Sequence, residues 1–106
     1  MIDLNGLAKE SHEISKKRGL PYSAMNNEQN LKHAAGELIE AAFACAFYKS
    51  TVKQSPAEKN ARRLFADELM DVVACIMIVA HSEGIDIEES LLKCIEKNKK
   101  RTQRVI

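Results

Sequence analysis

Two long stretches of this sequence carry no charge except carboxylate, and this limits the possible folds more than any other feature. From Ala34 to Tyr48 the charged residues are Glu37 and Glu40, and from Leu64 to Ala80 they are Asp67, Glu68 and Asp71. Almost everything else in both stretches is apolar. A helix apolar around its circumference must be covered on most sides, in the centre of a bundle or against another subunit. The chain is therefore expected to oligomerise.

Composition agrees with helices. Gly (4) and Pro (2) are scarce, Trp is absent and aromatics reach 5%, which excludes a β-sandwich or barrel with its many turns and aromatic strand faces. The 106 residues suffice for one domain. Sixteen Lys and Arg balance fifteen Asp and Glu to a net charge of +1, so no global field draws the protein to nucleic acid or to a membrane surface. The first residues, Met1 to Gly6, lack a basic segment followed by an apolar run, so no signal peptide is read and a cytoplasmic location is expected. Cys45, Cys75 and Cys94 are odd in number and widely spaced, and read as buried free thiols.

Four helices are predicted. The first runs from about Ile2 to Arg18, with Gly19 and Pro21 as stop signals and a loop over Leu20 to Gln29. The second starts near Asn27 and runs to Lys49, and the third spans Pro56 to Ser82, with Pro56 in its first turn and Gly84 just past its end. Asp86 and Glu89 have capping-box spacing, and a fourth helix follows to about Arg104. The expected fold is an all-α, four-helix bundle-like single domain over residues 1–106, assembling as a dimer or tetramer.

The acids carry the chemistry. At 100° per residue, Glu37 and Glu40 lie about 60° apart on the second helix, and Glu68 and Asp71 about 60° apart on the third. If these faces oppose each other, four carboxylates converge inside an apolar shell, where each buried ion costs several kcal/mol and like charges raise one another's pKa. A cation is expected among them. Oxygen ligands without nearby His or Cys suit a hard ion, Mg²⁺ above all, with Mn²⁺ as its substitute. Asp67 reads as a rim residue. A di-iron bundle would need Glu-x-x-His motifs, and His12, His33 and His81 have no Glu three positions earlier, so these histidines read as structural or exposed.

The order Glu37-Leu38-Ile39-Glu40, then about 27 residues later Glu68-Leu69-Met70-Asp71, resembles the all-α nucleotide pyrophosphohydrolases, the MazG-like superfamily that includes dimeric dUTPases and dCTPases. LKHAAGELIEAA is similar to that superfamily's first motif helix, and DELMDVVACIMIVAHSEGIDIEESL to its second. SHEISKKRGL resembles the first helix of its small phage-type members, and Asn98 with Arg101 an Asn-x-x-Arg element near its end. The resemblance implies Mg²⁺-dependent hydrolysis of a nucleoside triphosphate to the monophosphate and pyrophosphate, in a pool-cleansing role. It implies metal held by Glu37, Glu40, Glu68 and Asp71, with Glu40 and Glu68 catalytic and Glu40 taking the water's proton. A homodimer or homotetramer is implied as well. The chain departs from the pattern in two ways. No extra Glu stands at His33 to Ala35, and with Trp absent a base-stacking pocket would depend on Phe43, Phe47, Tyr48 or Tyr22. A non-catalytic nucleotide- or protein-binding module is the alternative reading.

Basic residues form a rim. Lys93, Lys97, Lys100 and Arg104 share one face of the fourth helix, a solvated one, while Leu91, Leu92 and Ile95 point elsewhere. Asn98 projects towards the apolar side, where its amide needs a partner, and a phosphate or ribose contact is expected there. Lys49 and Lys53, just after the second helix, are further candidates for the phosphates, as is Arg101.

Overall fold

The computed structural model describes residues 2–18 and 26–101, and among them the chain is all-helical. Four helices follow one another: α1 (Leu4–Lys17), α2 (Asn27–Ser50), α3 (Pro56–Ser82) and α4 (Ile87–Arg101). The expected loop from Leu20, as far as residue 25, and the end of the fourth helix beyond Arg101 lie outside the described residues. None of these helices is long and apolar enough to cross a membrane.

Local chemistry sets the boundaries. Asp3 caps α1 by accepting the Gly6 N–H at 2.9 Å. Asn26 and Gln29 form a reciprocal capping box at the start of α2, which places the helix start at Asn27. Ser55 caps α3 ahead of Pro56, whose missing N–H costs nothing in the first turn. Gly84, at φ 69°, ends α3 in the left-handed conformation, while the Ile85 N–H donates back to the Ala80 carbonyl at 2.9 Å. Asp86 caps α4 through the Glu89 N–H at 3.1 Å.

α2 and α3 form an antiparallel hairpin. Tyr48 stacks on Phe65 with ring centroids 6.1 Å apart at one end, and Asn27 donates to the Ser82 hydroxyl at 3.2 Å at the other. The buried and half-buried rows alternate by four and three residues on both helices: Asn30, Ala34, Glu37, Ala41, Ala44 and Tyr48 against Ala61, Phe65, Glu68, Val72, Cys75 and Val79. That is the spacing of a coiled-coil seam, and its alanines allow close approach of the helix axes. The low amphipathicity of both helices hides this row, because the opposite faces are apolar too.

α1 lies against α3, burying Ala8 and Ser15, with the His12 and His81 rings 5.1 Å apart. α4 is attached mainly by its first turn. The Glu88 carboxylate accepts the Leu4 N–H at 3.1 Å, and the Asn5 side chain accepts the Ile87 N–H at 2.8 Å while donating to Asp86 at 3.0 Å. From Glu89 to Arg101 every residue of α4 is exposed. Cys94 is therefore exposed rather than buried as expected, since nothing among the described residues covers α4, whereas Cys75 is buried and Cys45 half-buried. The three packed helices and the projecting fourth give extents of 44 × 44 × 29 Å. The radius of gyration is 16.6 Å, where a compact chain of this length would have about 13 Å.

Candidate metal centre

Glu37 and Glu68 both lie in the rows that α2 and α3 turn towards each other, about one turn apart in the antiparallel register, close enough for their long side chains to bring the carboxylates together. Glu40, one turn beyond Glu37 and exposed, completes a trio in which one carboxylate oxygen from each residue lies within 4.8 Å of the others. Among the described residues no other group of three His, Cys, Asp or Glu side chains is arranged to hold an ion.

The trio is electrostatically strained. The half-buried Glu68 carboxyl is held above its ordinary 4.5, first by partial desolvation and then by the charges of Glu40, Asp71, Glu37 and Asp67. Asp71 and Asp67 thus act on the cluster without belonging to the close trio. Both are exposed on α3, Asp67 directly before Glu68 in the sequence and Asp71 about one turn after it. The other partner is His33, whose Nε2 lies 3.1 Å from the Glu37 carboxylate. Sequence reasoning missed this contact, although His33 and Glu37 stand at i and i+4, a spacing at which helical side chains meet.

The basic candidates stand apart from the acids. Lys49 lies nine residues past Glu40 on α2, about 13 Å along the helix axis. Its Nζ sits 5.2 Å from the centroid of the Tyr48 ring. Lys53 follows in the exposed α2–α3 loop. Asn98 and Arg101 are on the projecting part of α4, where the Asn98 amide donates to the Cys94 sulfur of the same helix at 3.7 Å. Of the residues expected to stack on a base, Tyr48 is engaged with Phe65 in the seam, Phe43 and Phe47 are exposed, and Tyr22 lies outside the described residues.

A cavity of about 290 Å³ opens between α1 and α3 beside Asp71, lined by Ser11, Ser15 and Arg18 on one side and Ala74, Cys75 and Ile78 on the other. It is mostly apolar with a few polar groups at the edge, at the small end of the size range of ligand pockets. The Ser15 hydroxyl at its wall is buried and has no hydrogen-bond partner among the described residues.

The chain matches no protein-family model, and neither a characterised protein nor a solved structure is significantly similar to it.

Proposed function

We propose that the protein is a Mg²⁺-dependent nucleoside triphosphate pyrophosphohydrolase of the MazG-like kind, releasing a nucleoside monophosphate and pyrophosphate, with Mn²⁺ able to substitute. The observation that carries this reading is the trio of Glu37, Glu40 and Glu68 set across a seam otherwise built of small and apolar side chains. Such a cluster is unfavourable without a cation, and an all-oxygen donor set fits a hard one.

Glu37, Glu40, Glu68 and Asp71 would hold the metal. Bound there, Mg²⁺ would neutralise phosphate charge and lower the pKa of the attacking water. His33 fixes the Glu37 carboxylate by a contact outside the metal's own ligands, the kind of support that orients ligands in metal sites. Glu40, the most exposed of the trio, is the residue suited to take the water's proton as the oxygen attacks the α-phosphorus and the bond to the β-phosphate breaks. The cavity beside Asp71 offers the sugar and base a largely apolar recess next to the carboxylates. A homodimer or homotetramer in the cytoplasm, removing unwanted nucleotides, completes the reading.

Pyrophosphate release from a panel of ribo- and deoxynucleoside triphosphates with Mg²⁺ tests it. Release is expected from at least one of them and is expected to fall at least 100-fold in Glu68→Gln, on the order lost with one strong transition-state contact. No release from any substrate, or undiminished release by the variant, would overturn the proposal. Mg²⁺-dependent nucleotide binding in calorimetry with no product would instead assign the non-catalytic module.

A further inference from the structure

The contact between α1 and the end of α3 holds a pair of histidines that the carboxylate chemistry does not use. On α1, His12 stands between Ala8 and Ser15, which are 1% and 2% exposed, and on α3 His81 follows Cys75 and Ile78, which are 2% and 5% exposed. Spacings of three, four and six residues put each histidine on the buried side of its helix. Both imidazoles are half-buried, with ring centroids 5.1 Å apart and planes tilted by 53°. The packed residues around them fix both backbones, so the rings are turned towards each other by rigid elements rather than by loops.

A helix seam ordinarily fills such positions with apolar side chains. Two imidazoles bring four ring nitrogens instead, and neither ring has a hydrogen bond or ion pair with another described residue. Nitrogens drawn into a packed junction call for a partner. The ring separation fits a particular one: two imidazoles on one tetrahedral Zn²⁺, with Zn–N bonds of about 2.05 Å, have centroids about 5.2 Å apart. His81 also lines a cavity of about 290 Å³ with Asn5, Gly84 and Asp86, which leaves room for the waters that complete an ion's shell. Asp86 itself is taken up by the Asn5 amide and the Glu89 N–H.

We infer that His12 and His81 bind a divalent late-transition-metal ion, Zn²⁺ in the first place, which clips α1 to the end of α3. Imidazole nitrogen suits Zn²⁺, whereas the all-oxygen trio suits a hard ion. The two sites stand apart, since His81 lies 13 residues past Glu68 on α3, about 20 Å along the axis. The chain thus offers two sites that select ions by opposite donor chemistry. Bound between the histidines, the ion tightens the junction at which Asn5, through Asp86 and Ile87, already ties α1 to α4. None of this depends on the proposed hydrolysis.

The test uses Cys94→Ser protein stripped of metal, so that the exposed thiol takes no ion. Titration with Zn²⁺ is expected to raise the thermal midpoint by several degrees, as an ion that binds only the folded chain does. The rise is expected to persist in Glu68→Gln and to be lost in His12→Gln and in His81→Gln. Each histidine variant should bind Zn²⁺ at least about 10-fold more weakly, since losing a ligand costs no less than losing a ligand's support. No rise in the parent protein, or an equal rise in the histidine variants, overturns the inference. Long-range ¹H–¹⁵N spectra of the imidazoles read the site with both histidines in place. Zn²⁺ is expected to shift the ring nitrogens of His12 and His81 and to leave His33 unmoved. Shifts confined to His33 would put the ion at the carboxylates and overturn the assignment, as would no shift at all.

Discussion

Along α2, Ala34, Ala41 and Ala44 are buried while Leu38, Ile39, Phe43 and Phe47 stand in solvent, and α3 repeats the contrast with Ala61 buried and Leu64, Met70 and Ile76 exposed. A closed domain has the reverse arrangement, with its largest apolar side chains inside. Here the seam of the hairpin is fitted with small residues and two carboxylates, and the bulk of the hydrophobic surface is outside. The difference assigns separate tasks to the two faces. The seam sets the distance between α2 and α3 and thereby the spacing of the acids. The outer faces carry apolar surface of the kind whose burial stabilises helices, and within a single chain that surface stays exposed.

The strongest way to break this comparison is on the outside. Phe43→Asp puts a charge in the centre of the exposed apolar sector and is expected to cost about 2 kcal/mol or more of association energy, as loss of a buried aromatic anchor does. Light scattering should then give the mass of one chain, 11.9 kDa, and thermal stability should fall with it. On a solvated face the same change would stay within about 0.5 kcal/mol. An unchanged mass and midpoint would show that the outer face is only surface.

The seam is tested by overpacking. Ala41 is 2% exposed, and Ala41→Leu is expected to cost about 1–3 kcal/mol by forcing α2 and α3 apart. The same displacement separates Glu37 and Glu40 from Glu68, so Mg²⁺ affinity measured by calorimetry should drop along with the urea midpoint. Ala42→Leu, one residue on and exposed, serves as the control: it should leave metal affinity unchanged.

The hinge of α4 is a smaller effect. Asn5 accepts the Ile87 N–H and donates to Asp86, so Asn5→Ala removes a helix cap from a different element of the fold. A cost of about 1 kcal/mol is expected. The loss should appear as faster amide exchange in α4 with α2 and α3 unchanged, which would locate the weak joint between the hairpin and its arm.

Much of this organisation can be read from the sequence, for reasons that differ by element. The start of α3 at Pro56 and its end before Gly84 follow from chemistry confined to a few residues, and there expectation and structure agree. The pairing of Glu37 and Glu40 with Glu68 follows from helical phase plus a short connection, which forces neighbouring antiparallel helices. Asp71 shows where phase is not enough: it shares the charge of the cluster but stays outside the close trio, because it points past the seam towards α1 and the cavity. The seam itself was masked. Its four-and-three row of Ala, Glu, Val and Cys does not stand out against outer faces that are equally apolar. The isolation of α4 was illegible for another reason: Leu91, Leu92 and Ile95 look like an ordinary buried stripe, and only the three-dimensional course of the chain shows that they have nothing of their own to cover.

The smallest effect separates the two ends of the molecule by pH. Glu68 binds its proton more tightly in the folded chain than at its ordinary 4.5, so its charge opposes folding at neutral pH. Acidification through the raised pKa down to about 4.5 relieves that repulsion and should raise the denaturation midpoint of the metal-free protein. Asp86 behaves oppositely. Its carboxylate, accepting from the Asn5 amide and the Glu89 N–H, is held below its ordinary 3.8, so its contribution is present above 3.8 and is lost as pH falls through the lowered value. A falling pH should therefore first stabilise the seam and then loosen the hinge of α4. Glu68→Gln should abolish the first change and leave the second, and Asp86→Asn should do the reverse. Mg²⁺ at neutral pH should stabilise the wild type by RT ln(1 + [Mg²⁺]/Kd) and add nothing further in Glu68→Gln if that carboxylate is required for binding. Stabilisation of both proteins by equal amounts would mean that the ion binds elsewhere, and that the strain at the seam has some other purpose than to hold it.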